Sequence, residues 1–83
     1  MGMTETQLVL KLLCDEGTCT MNDMVSHTGI SASRVIAALG MLQRSGDALK
    51  DPRPSGTCYH PTVAGRRKVA SWETPAPRGA WRG

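Results

Sequence analysis

Three glycines, Gly17, Gly29 and Gly46, cut the first half of this 83-residue chain into short segments of helical apolar period. Each segment is only about two to four helical turns long, and helices of that length are marginal in water on their own. They must therefore bury their apolar stripes against one another, around one small core. Eighty-three residues leave no room for a second core. The expected organisation is a domain over 1–72 and a Pro-, Gly- and Arg-containing tail over 73–83.

The segments have readable ends. Thr4-Glu5-Thr6-Gln7 fits a capping box, and Leu8, Val9, Leu12 and Leu13 form an apolar face, so a first helix runs from about Glu5 to Glu16. Thr18-Cys19-Thr20 is short and rich in β-branched residues, which suits a brief strand. Thr20 caps a second helix with Asp23 as its partner, and Met24, Val25 and Met21 point inward. Gly29 stops that helix, Ile30 plugs the turn, and Ser31 caps a third helix whose buried stripe is Val35, Ala38, Leu39 and Leu42.

Beyond Gly46 the period changes. Ala48–Lys50 reads as a strand, 51–56 as a stiff turn with two prolines at an exposed tip, and Thr57–His60 as the returning strand. A fourth helix follows from Val63 to about Trp72, with Val63, Val69 and Trp72 apolar. The fold class is mainly α with a small antiparallel β-hairpin.

Charge is distributed unevenly. Residues 1–30 carry one basic and four acidic side chains, 1 − 4 = −3, and residues 31–83 carry nine and three, 9 − 3 = +6, giving the net +3. An acidic start and a basic remainder can orient the chain towards a polyanion, although an unevenly charged solvated surface reads the same way. No run approaches the ~18 apolar residues of a membrane span, and the N-terminus lacks the pattern of a secretory signal. An odd set of cysteines, Cys14, Cys19 and Cys58, points to a reducing, cytoplasmic compartment. Cys14, Cys19, Cys58 and His60 have poor spacing for zinc, and free thiols are the simpler reading. No nucleophile–base pair, paired carboxylates or glycine-rich phosphate loop stands at meaningful spacing, so neither an enzyme nor a cofactor is expected.

Three segments carry a family resemblance. Met24-Val25-Ser26-His27-Thr28-Gly29-Ile30-Ser31 is similar to the second helix and turn of MarR-, PadR- and ArsR-like bacterial regulators. The stretch from Ser33 to Ala48, with Leu39-x-x-Leu42-x-x-x-Gly46, resembles their recognition helix. Tyr59-His60-Pro61-Thr62-Val63-Ala64-Gly65-Arg66 is similar to the Thr-x-x-Gly-Arg step after their hairpin wing. Together these span residues 4–72, and the resemblance implies a winged helix-turn-helix domain that binds double-stranded DNA as a homodimer.

On that reading a recognition helix over about 32–45 enters the major groove and a wing over about 48–60 lies on the backbone or minor groove. Ser31 and Ser33 can hold phosphate, Arg34 can contact guanine, and Ala37 can pack on thymine methyls or deoxyribose. Arg44, Lys50 and Arg53 supply cations, with Arg53 at the wing tip. Arg66, Arg67 and Lys68 rank behind them. Ile36 and Ala37, continued by Gly40 and Met41 as an apolar or featureless side, open an alternative, a module that docks a protein partner through its third helix. Cys19 and Cys58, on neighbouring strands, are either packed thiols or a redox pair.

Overall fold

The structure, a computed structural model, describes residues 3–73. Its elements are α1 (Glu5–Glu16), β1 (Cys19–Thr20), α2 (Met21–Thr28), α3 (Ala32–Arg44), β2 (Ala48–Arg53), β3 (Gly56–Pro61) and α4 (Val63–Glu73). The three strands form one antiparallel sheet in the order β1-β3-β2. Glu73, placed in the tail over 73–83 by sequence, ends α4, and the rest of that tail lies outside the described residues.

Both expected capping boxes form. The Thr4 hydroxyl accepts from Gln7 N–H while the Gln7 side chain accepts from Thr4 N–H, and Thr20 and Asp23 repeat the exchange for α2. Ser31 holds the cap position of α3 but makes no side-chain capping bond; its Oγ lies 3.5 Å from Ser33 Oγ instead. Helix α3 ends on Gly46, whose φ of 80° lets Gly46 N–H reach Gln43 O at 3.2 Å and Asp47 N–H reach Leu42 O at 2.8 Å. That is the paired closure of a Schellman motif.

The core joins Val9, Leu10 and Leu13 of α1 to Met24, Val35, Ala38, Leu39, Leu42, Ala48 and Val69, with Cys19 beneath the sheet. Truncating any of its leucines to alanine costs about 2–5 kcal/mol. Leu10 was not among the expected inward residues, and Leu8 was. In the structure Leu10 is buried and Leu8 exposed, because α1 turns the 9-10-13 edge of its stripe towards α3 and α4. Val63, expected among the apolar positions of α4, is 65 % exposed.

The hairpin also differs from expectation. Strand β2 continues through Asp51, Pro52 and Arg53, leaving Pro54 and Ser55 as the turn. Pro52 fits because β2 is the sheet's edge, where a missing N–H breaks no ladder bond. Arg53 pairs with Gly56 and so ends a strand rather than capping a loop.

Helix α4 is fastened to the joint between α3 and β2. Thr62 N–H donates to Asp47 O at 2.9 Å, its hydroxyl donates to Gly46 O at 2.7 Å, and the same oxygen accepts from Gly65 N–H at 3.0 Å. A Cβ on Gly65 would stand 2.2 Å from the Asp47 carbonyl oxygen. This approach explains the Thr62-x-x-Gly65 spacing: threonine ties the joint and glycine lets the helix touch it. Asp47 itself is 3 % exposed and receives hydrogen bonds from Ser45 Oγ and Lys68 Nζ. Burial alone would push its carboxyl up, but the Lys68 and Ser45 hydrogen bonds outweigh that and hold it below the ordinary aspartate value.

Candidate nucleic-acid interface

Helical geometry sorts the residues of α3. At about 100° per residue, the buried Val35, Ala38, Leu39 and Leu42 define one face, and Ser33, Ala37, Gly40 and Arg44 fall in line on the opposite one. Ser33, Ala37 and Arg44 are exposed. Among the described residues Arg44 has no ion pair. Gly40, read as featureless in the sequence, continues the outward line and narrows the helix at its middle.

Arg34 lies a quarter-turn from that line, on the flank that faces α1. Its Nη2 donates to Glu5 Oε2 at 2.9 Å, while the side chain stays 66 % exposed. Met41 shares this flank, with Thr6 Oγ1 donating weakly to its Sδ at 3.9 Å. Ile36 sits on the other flank. Ile36 and Met41 are each more than half exposed, yet five residues set them about 140° apart. Ala37 and Gly40 stand between them on the outward side.

The positive end of α3 differs from those of its neighbours. Helix α1 carries Glu5 in its first turn and α2 carries Asp23, each with a complete capping box; α3 carries no acidic residue there and no side-chain cap. Its first N–H groups are left to solvent or to an anion. Ser31 and Ser33 flank them, both exposed.

In the wing, antiparallel pairing puts directly opposed residues on one face and alternates faces along each strand. Lys50 therefore shares the helix-side face with Tyr59, in a groove of about 360 Å³ that also takes in Asn22, Ser55 and Thr57. Asp51, Arg53, Cys58 and His60 share the outer face. There Arg53 donates to Asp51 Oδ2 through Nε at 2.9 Å and Nη2 at 2.8 Å, and His60 Nε2 meets the same oxygen at 2.8 Å. Hydrogen bonds from His60 and Arg53 hold the Asp51 carboxyl below the usual carboxylate range. Sequence reasoning named Arg53 but missed Asp51 and His60 as its partners. The alternation Asp51-x-Arg53 was the available signal, hidden by the assignment of both residues to a turn.

Register also separates the cysteines. Cys19 pairs with Tyr59 and Thr20 with Cys58, so the two thiols lie on opposite faces of the sheet. Burial, with Asp23 and Glu16 nearby, pushes the Cys19 thiol up to about 11, which keeps it protonated and unreactive at neutral pH. A Cys19–Cys58 redox pair is therefore not what the sheet builds. Among the described residues no cluster of three or more His, Cys, Asp or Glu side chains has the geometry to hold a metal ion. Lys68, ranked as a secondary phosphate contact, is engaged by Asp47.

An antiparallel hairpin set beside two helices in a tight Gly29-centred turn is a winged helix-turn-helix domain. Solved structures of MarR-type regulators share the fold. BpsR of Bordetella bronchiseptica, described for the regulation of its DNA binding by 6-hydroxynicotinic acid, superposes with a TM-score of 0.78 at 23 % identity, over 84 % of this chain and 52 % of that one. The reduced form of E. coli MarR gives 0.75 at 18 % identity, over 83 % and 54 %. A mutant E. coli MarR complexed with operator DNA also gives 0.75 at 18 %, over 83 % and 52 %. The chain thus spans about half the length of the structures it matches. No family model and no curated protein matches the sequence.

Proposed function

We propose that the chain is the DNA-binding module of a transcriptional regulator, with α3 in the major groove and the wing on the flanking backbone or minor groove. The observation that carries this reading is the outward line Ser33-Ala37-Gly40-Arg44, with Ser33, Ala37 and Arg44 exposed, on the second helix of a helix-turn-helix. Such a helix projects short polar and basic groups from the face that enters the groove. The open N-terminus of α3, with Ser31 and Ser33, supplies phosphate contacts, and Arg44 and Lys50, which have no ion pair among the described residues, add cations. Arg34 reads a base from the flank, with Glu5 holding one edge of its guanidinium. Arg53 serves the wing. The likeness to a MarR structure that holds operator DNA agrees with this pose.

A second copy of the chain on a two-fold-related half-site fits the small size of the module. Fluorescence titration of the purified chain against random duplex DNA at two salt concentrations tests the reading. Micromolar binding that collapses at high salt is the expected result, and absence of binding at low salt overturns it.

A further inference from the structure

The groove on the helix-side face of the wing has walls from two elements, the first turn of α2 and the hairpin, and a volume of about 360 Å³. Asn22, Lys50, Ser55, Thr57 and Tyr59 line it, and each of these side chains can donate a hydrogen bond. Among the described residues no carboxylate lines it. Asp23, next to Asn22, commits its Oδ2 to Thr20 N–H at 3.1 Å.

The fold itself does not use these donors. Among the described residues, no ion pair or side-chain hydrogen bond engages Asn22, Lys50, Thr57 or Tyr59. Tyr59 is the clearest case. Its ring is partly buried against the core, yet its hydroxyl has no partner among the described residues, where a packed tyrosine ordinarily finds one. The wing's other cation differs, since Arg53 gives two hydrogen bonds to Asp51 on the opposite face. The N-terminus of α2 is taken by its own capping box, so the groove acts through side chains.

A lining of one ammonium, one amide and several hydroxyls suits a ligand that only accepts hydrogen bonds. Small apolar ligands are held by apolar and aromatic walls instead. A phosphodiester brings one negative charge, which Lys50 matches, and non-bridging oxygens, which Asn22 and Tyr59 match as donors. The position fits as well. The groove lies at the far end of α2 from the open N-terminus of α3, and an eight-residue helix spans about 12 Å. Backbone contacts at both ends of α2 fix the orientation of the helix pair on a duplex.

We propose that this groove is a phosphodiester site, in which Lys50, Asn22 and Tyr59 together hold one backbone phosphate of the duplex that α3 reads. This rests on the DNA-binding reading above and adds Asn22 and Tyr59 to it.

The test is titration of the full chain against a labelled random-sequence duplex at salt concentrations from about 50 to about 200 mM. Lys50→Gln is expected to weaken binding about three- to tenfold and to lower the salt slope by about 0.9. Asn22→Ala and Tyr59→Phe remove a donor but no charge, and each should weaken binding about two- to fivefold with the slope unchanged. Because the three groups share one phosphate, Tyr59→Phe should cost less in a Lys50→Gln background than in wild type. In an Arg53→Gln background it should keep its full effect. Circular dichroism spectra matching wild type ensure that binding, not folding, is compared. Wild-type affinity in Asn22→Ala or Tyr59→Phe would overturn the proposal, as would a Tyr59→Phe effect of equal size in Lys50→Gln and wild type. A wild type that fails to bind at any salt concentration instead removes the DNA reading, and with it this inference.

Discussion

Among the described residues the outward line of α3 makes no ion pair, and its one side-chain hydrogen bond is between Ser33 and the nearby Ser31, whereas the outer face of the wing is already a closed set of contacts. Ser33, Ala37 and Arg44 project from a helix that is held by its buried side and by the flank that carries Arg34 and Met41. Arg53 is held by Asp51, Asp51 by His60, and His60 by Thr18. Side chains on the helix line can be exchanged with little effect on folding, so under the proposed DNA-binding function that face would set which bases are read. The wing's charges are tied to one another, so under the proposed function that surface would set how strongly the backbone is held.

The largest test of this contrast acts on the joint that fixes helix and wing relative to each other. Gly65→Ala drives a methyl into the Asp47 carbonyl and should destabilise the fold by about 3 kcal/mol, measured by urea unfolding. A change within about 0.5 kcal/mol would show that α4 does not fasten the joint. On the reading side, Arg34→Ala should alter preference at one base pair by roughly 1–3 kcal/mol across a panel of duplexes. Arg44→Ala should weaken all duplexes alike and lower the salt slope by about 0.9. If both variants behave identically, the division of the helix into flank and outward line fails.

Asp47→Asn removes a buried, charge-assisted contact and should cost about 1–2 kcal/mol at neutral pH. Because the native carboxyl is held below its ordinary value, this stabilisation is present above the unfolded aspartate range and is lost as pH falls through the native value. Wild type and variant should therefore converge in acid, and unfolding curves at several pH values decide it. The smallest effect is expected at the caps. Thr20→Ala should cost about 1 kcal/mol, while Ser31→Ala, with no capping bond to lose, should change stability by less than about 0.5 kcal/mol.

Much of the fold was legible because glycines, caps and apolar periods agree locally. Thr4 with Gln7, Thr20 with Asp23, and the Val35-Ala38-Leu39-Leu42 stripe all form as their spacing requires. What escaped the sequence depends on pairs brought together only by the tertiary structure. Leu10 in place of Leu8 reflects how α1 rolls against α3. The Asp51–His60 contact depends on a hairpin register set by a two-residue turn that two prolines disguised. Arg34's engagement by Glu5 joins residues 29 apart, and nothing local to either announces it. The Thr62-x-x-Gly65 step was recognisable by resemblance, but its reason, a helix resting on a carbonyl, needed the structure.

Pro52 has a consequence for molecules that work side by side. It lies in the one long strand whose outer edge is unpaired, and a proline there presents its ring, rather than a donor, to whatever approaches. A further strand laid along that edge would lose its pairing partway. Two copies of the domain brought side by side can thus present their hairpins close together without zipping sheet to sheet.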